Sequence, residues 1–182
     1  MTDPAGIRGV VRFAYEAGQL KRSRRTGWWR AGIRDPESVA EHSWRTAVLA
    51  WVIAAAEGAD PDRAATIGVF HDLAEARTGD IEYVGHHYVT GASAETVTRD
   101  QVRDLPAVLA DGLLGIIAEM EASATPEAAC ARDADKLECL LQAREYERQG
   151  ADVRGVDRLH GRGRAQRDWP RTGRGGQGGG PE

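Results

Sequence analysis

One stretch constrains the chain more than any other: PDRAATIGVFHDLAEARTGD, residues 61–80. It reads as a single helix, with Asp60 suited to the N-cap, Pro61 to the first helical position and Gly79 to a left-handed C-cap. Ile67, Phe70 and Ala74 make an apolar strip that can face a core. His71 and Asp72 are adjacent, Glu75 follows one turn later, and Asp80 lies just past the helix end. At these spacings an imidazole and two carboxylates share one patch of surface. That grouping is costly unless something cationic sits among the side chains, and a divalent metal ion is the simplest candidate.

The rest of the chain reads as further helices around this one. Ile7, Val10, Val11, Phe13, Ala14 and Leu20 recur at roughly helical spacing over residues 7–20. Residues 20–38 are broken by Gly27, Gly32 and Pro36 and read as a loop. This loop concentrates Lys21, Arg22, Arg24, Arg25 and Arg30 beside Trp28 and Trp29. Guanidinium groups suit phosphate oxygens and an indole face suits a base. The same pattern also fits a solvated loop pinned by a buried tryptophan. Ser38 to Glu41 form a capping box that opens a second helix, whose apolar positions include Val48, Leu49, Trp51, Val52 and Ile53. His42 falls in its first turn, on the inward side shared with Val39, Thr46 and Leu49.

After Asp80 a Gly-containing loop carries His86 and His87, read as surface residues, and leads into a helix near Glu95. Residues 106–121 repeat apolar positions as an amphipathic helix. The last helix is expected over 126–149, with Ala134, Leu137 and Leu141 on its core side and Asp135 on a flank that can enter a site from a new direction. From residue 150 the composition shifts to Gly and Arg, so residues 151–182 are expected to be a largely disordered tail. No strand is evident. The expected fold is all-α, a compact bundle of five or six helices over residues 1–150.

Composition removes several function classes. At 182 residues the chain is one domain with room for a core, and its formal net charge of -4 argues against a general nucleic-acid binder. No segment is long and apolar enough for a membrane span, and the N-terminus lacks a signal-peptide pattern. Cys130 and Cys139 fall on one expected helix, which makes a disulfide between them unfavourable and suits a reducing cytoplasm.

His42, His71, Asp72 and Asp135 are thus candidate ligands on three helices. This constellation resembles the HD superfamily of metal-dependent phosphohydrolases, and more narrowly its 5'-deoxynucleotidase branch. The resemblance rests on Pro36 to His42 (PESVAEH), on His71, Asp72 and Glu75 followed by Gly79-Asp80-Ile81, and on Arg25 to Trp28 (RTGW). It rests also on Asp135 to Glu138 and Glu145 to Glu147.

It implies an HD-domain helical bundle in which His42, His71, Asp72 and Asp135 hold one divalent ion. Their nitrogen and carboxylate ligands suit Co, Mn, Fe or Zn better than Mg. It further implies that Glu75 handles the proton of the attacking water and that Asp80 orients that water or the leaving sugar oxygen. Trp28, with Arg25 or Arg30, would clamp the substrate. The expected activity is hydrolysis of a (deoxy)nucleoside 5'-monophosphate to nucleoside and phosphate, by a cytoplasmic homodimer acting on a small molecule. Another small phosphomonoester is the near alternative. An HD-fold di-iron oxygenase is a distant one, since only His86, His87 and His160 remain as further imidazole ligands.

Overall fold

A computed structural model describes residues 4–153. Among them are seven α-helices: α1 (Pro4–Ala17), α2 (Val39–Glu57), α3 (Pro61–Phe70), α4 (Glu75–Thr78), α5 (Ala94–Gln101), α6 (Ala107–Ala122) and α7 (Pro126–Arg148). The described residues contain no strand, only an isolated antiparallel bridge between Arg24 and Ser38. None of these helices is long and apolar enough to cross a membrane. Apart from residues 151–153, the segment expected as a tail lies outside the described residues. Within those three, Val153 is buried against Trp28, Ala143 and Tyr146.

The helix starts follow local chemistry. Ser38 and Glu41 form the reciprocal capping box of α2, and Gly58 closes that helix at φ 76°, a left-handed conformation that glycine adopts without strain. Asp60 accepts hydrogen bonds from the Asp62 and Arg63 amides to start α3, with Pro61 in the first turn. Thr125 and Pro126 do the same for α7.

Small residues set the core. Ala50 and Ala54 of α2, Ala64 and Ile67 of α3, and Ala128, Ala131 and Ala134 of α7 are buried together. Alanine on the facing stripes lets helix backbones approach closely. Between α2 and α3 the approach is tight at Gly68, where a Cβ would lie 2.9 Å from the Ala47 Cα. This inverts part of the apolar pattern. Val48, Trp51 and Val52 of α2, Leu141 of α7, and Ile7 and Val11 of α1 are exposed. Bulk at those positions would hold the helices apart, so the buried faces are the alanine faces.

The 61–80 stretch is the second correction, because it is not one helix. Regular α-helix ends at Phe70, and Leu73, Glu75, Ala76 and Arg77 donate to carbonyls three residues back, the tighter 3-10 pattern. Gly79 has the expected positive φ of 71°, but its ψ of 165° is extended rather than left-handed helical, so it turns the chain sharply instead of capping a long helix.

Candidate active site

Three elements converge where α3 breaks. His42 comes from the first turn of α2, His71 and Asp72 from the break, and Asp135 from the middle of α7. Ligand atoms of His42, His71 and Asp135 all lie within 4.8 Å of one another. The His42 Nε2 stands 3.2 Å from Asp135 Oδ1 and 3.6 Å from Asp72 Oδ2, and the His71 Nε2 stands 3.1 Å from Asp72 Oδ2.

Each imidazole is held by its other nitrogen. The Nδ1 of His71 bonds the Gly68 carbonyl at 2.8 Å, and the Nδ1 of His42 bonds Glu138 Oε2 at 2.5 Å. Both partners accept hydrogen bonds, which in the neutral imidazole assigns the proton to Nδ1 and leaves the Nε2 lone pair for a ligand. The His42 Nε2, His71 Nε2, Asp72 Oδ2 and Glu75 Oε2 atoms are buried without a hydrogen-bond partner. Four such atoms in one place are anomalous in a folded protein unless an ion or water satisfies them. The residues therefore fit a divalent metal ion.

The electrostatics agree. Burial and the Arg25 charge pull the His42 pKa down, but Asp135, Glu138 and Asp72 outweigh them and raise it to about 10. Burial also opposes the charge on His71, yet Asp72 and Asp135 raise its pKa. Asp72 is held well below the usual carboxylate range, its burial overcome by His71, His42 and Arg25. The cluster thus needs positive charge among its carboxylates, and a bound divalent ion meets the same need. Glu75 goes the other way, because burial, then the charges of Asp72 and Asp80, push its pKa up to about 9.

A second group, His42, Glu138 and Cys139, also places ligand atoms within 4.8 Å. It suits a metal poorly. Glu138 is already bonded to Arg45, and Arg25 Nη2 lies 3.3 Å from the Cys139 sulfur. Burial pushes the thiol well up and keeps it protonated.

Arg25 lies at the edge of the cluster. Its Nη1 donates to Asp80 Oδ1 at 2.9 Å and stands 3.8 Å from Asp72 Oδ2. The other Asp80 oxygen accepts from the Thr26 amide and hydroxyl at 2.5 and 2.7 Å. Both Asp80 oxygens thus hold the Arg25 loop in place. Trp28 is only 2% exposed and packs edge-on against Tyr146, with its Nε1 donating to Glu37. It offers no open face to a base, and the reading of this loop as pinned by a buried tryptophan describes it. Arg30 turns to Glu82 at 2.5 Å, away from the carboxylates that hold Arg25.

A cavity of about 570 Å³ opens beside the cluster, and its lining includes His71, Asp72, Glu75 and Asp135 together with the apolar Ile117 and Met120. A nucleotide-sized molecule fits such a volume. His86 also lines it, and like His87 on the same 3-10 turn it is exposed. His160 lies outside the described residues.

Sequence reasoning missed two participants. Glu138 is a fully buried carboxyl and Glu37 a half-buried one, both inside the quoted motifs but given no role there. Burial and the neighbouring Glu138 charge raise the Glu37 pKa to about 7. The signal available for Glu138 was its spacing three residues after Asp135, which puts both on one helix face.

Comparison with known proteins places this geometry. The model of a family described as the HD domain matches residues 17–172. The 5'-deoxynucleotidase HDDC2 of Danio rerio is 34% identical over 142 residues, covering 76% of this chain and 70% of that protein. The 5'-deoxynucleotidase hdd1 of Schizosaccharomyces pombe is 32% identical over 146 residues, covering 77% and 73%. Among solved structures, the PH0347 protein of Pyrococcus horikoshii superposes with a TM-score of 0.67 at 30% identity, covering 78% of this chain and 81% of its own.

Proposed function

Since this chain belongs to the HD-domain family, we propose that it is a metal-dependent phosphohydrolase releasing phosphate from nucleoside 5'-monophosphates, deoxynucleotides foremost. Relatives about a third identical over most of the chain are named 5'-deoxynucleotidases. The observation that carries the reading is the convergence of the His42 and His71 Nε2 atoms with Asp72 and Asp135, three of which residues, His71, Asp72 and Asp135, line the cavity.

In this reading His42, His71, Asp72 and Asp135 hold one divalent ion. Co, Mn, Fe or Zn suit that nitrogen-and-carboxylate set better than Mg. Bound there, the ion supplies a water of lowered pKa and polarises a phosphoryl oxygen. Glu75, whose buried Oε2 has no partner beside Asp72, takes and returns the proton of the attacking water. Arg25 presents its guanidinium to the phosphate, and Asp80 and Thr26 keep it aimed. Trp28 contributes by anchoring that loop from beneath. A cytoplasmic homodimer fits the reading. The exposed stripe of Trp44, Val48, Trp51 and Val52 on α2 is the apolar surface available to a second copy.

A single experiment tests the proposal. Phosphate release is measured from nucleoside mono-, di- and triphosphates and from a simple aryl phosphate, each with several divalent metals. The expected result is metal-dependent turnover that is fastest on deoxynucleoside 5'-monophosphates. A clear preference for triphosphates, or release that chelator treatment leaves untouched, would overturn it.

A further inference from the structure

Glu138 is fully buried and carries two sets of partners. Its Oε2 accepts from His42 Nδ1, while its Oε1 accepts from Arg45 Nε at 2.9 Å and Nη2 at 2.7 Å. Arg45 is fixed in turn by Glu145 Oε1 at 2.8 Å and by Gln142 Oε1 at 2.6 Å. Every member lies on the facing sides of α2 and α7. Glu138 sits one turn after Asp135, so one helix supplies both a ligand and the support for a second ligand on another helix.

The chain of bonds has one chemical result at its inner end. A carboxylate only accepts hydrogen bonds, so the Glu138 side of His42 must be a donor, and in the neutral ring that binds a metal the opposite nitrogen is then the bare one. Arg45 removes the alternative, because its two donors require oxygen at Glu138 and neutralise a buried charge that would otherwise take up a proton.

Building on the metal site proposed above, we propose that Glu138, locked by Arg45, is the positioning residue that sets the tautomer of His42 and thereby the metal affinity of the site. Outer-sphere carboxylates of this kind orient a ligating imidazole and raise its basicity, and their loss typically costs about 10–100-fold in metal affinity.

Two substitutions separate this role from simple packing. Glu138→Gln keeps the shape but not the chemistry. The amide must turn its oxygen to Arg45, so its N–H₂ meets His42 Nδ1 and drives the ring proton onto Nε2, where the metal binds. Glu138→Asp is one methylene shorter and leaves a gap, but it remains a carboxylate. A packing role ranks Asp as the worse change, and a positioning role ranks Gln as the worse.

The experiment measures the Co(II) dissociation constant of the full chain by chelator competition, alongside the melting temperature of each metal-free protein. The expected order is wild type tightest, Glu138→Asp intermediate, and Glu138→Gln weakest by about 10–100-fold. Co(II) binding by Glu138→Gln at wild-type strength, or a greater loss in Glu138→Asp, would overturn the proposal. His42→Ala is measured in parallel. If it binds Co(II) as well as wild type, the metal site itself is wrong. If it loses binding while Glu138→Gln does not, only the role of Glu138 falls. Should Glu138→Gln fail to fold, nitrogen-15 spectra of histidine-labelled, Zn(II)-loaded wild type decide. The His42 proton must be on Nδ1 with the metal on Nε2, and the reverse arrangement refutes the proposal.

Discussion

The imidazoles of His42 and His71 stand with ring centroids 5.3 Å apart and planes at 60°, each with Nδ1 turned to an acceptor and Nε2 turned to the other's carboxylate neighbours. Two rings from different helices are thus pre-set as a pair of ligands. In a site with few protein ligands, His71→Ala or Asp135→Ala should abolish both bound metal and phosphate release. Elemental analysis checks this, and full metal occupancy in both variants would mean that the ligand set is wrong.

Glu75 separates chemistry from structure. Its Oε2 has no partner, so Glu75→Ala breaks no hydrogen bond at that atom. The variant should keep its metal and its KM, while kcat falls by about a hundredfold or more, the size of a lost general acid–base group. Steady-state kinetics with metal analysis decide the matter. Loss of metal would make Glu75 a ligand, and an unchanged kcat would remove it from the mechanism.

Gly68 is a packing prediction with a contrast built in. A Cβ there would stand 2.9 Å from the Ala47 Cα and 3.1 Å from its amide nitrogen, both backbone atoms that cannot swing aside. Gly68→Ala should destabilise the fold by about 1–3 kcal/mol, the usual cost of overpacking. Gly112 of α6 has open space around the same position, and Gly112→Ala should stabilise by about 0.5–1 kcal/mol. Thermal melting of the two variants should therefore move in opposite directions.

The α2 cap carries a pH signature. The Ser38 backbone and side-chain hydrogen bonds, aided by Arg24 and opposed by partial burial, lower the Glu41 pKa below its ordinary 4.5. A depressed folded-state pKa contributes stability that is fully present above the unfolded value and is lost as pH falls through the folded one. Glu41→Gln should thus cost about 0.5–1 kcal/mol at neutral pH, the scale of a capping interaction. The variant and wild type should converge well below pH 4.5. Urea unfolding at the two pH values checks this, and a gap that does not change with pH would show that the carboxylate is not what matters.

How far the sequence could be read depended on the range of the interactions involved. Caps at Ser38, Asp60 and Thr125 are contacts within three residues, and each appears where the sequence placed a helix start. The all-α class and the meeting of His42, His71, Asp72 and Asp135 were likewise legible, the first from periodicity and the second from resemblance. Two things were not. Which face of α2 is buried depends on how closely α3 approaches, and the apolar pattern that includes Trp51 and Val52 does not show that these are exposed while Ala47 and Ala50 are buried. Whether Trp28 faces a ligand or the core depends on Tyr146, more than a hundred residues away in the chain. No local pattern encodes either relation.

The break in the chain after Phe70 has a consequence for anyone wishing to make this protein sturdier. Residues 71–78 look like a helix with a fault in it, the sort of place where stability engineering begins by substituting strong helix formers. A regular helix at 3.6 residues per turn would carry Asp72 and Glu75 out of their present directions and would unwind the turn at Gly79 that brings Asp80 to Arg25. Here repair and inactivation are the same operation. Substitutions that raise the melting point by regularising this segment should be screened for lost turnover before any other property, whereas the exposed face of α6 can be altered without that trade.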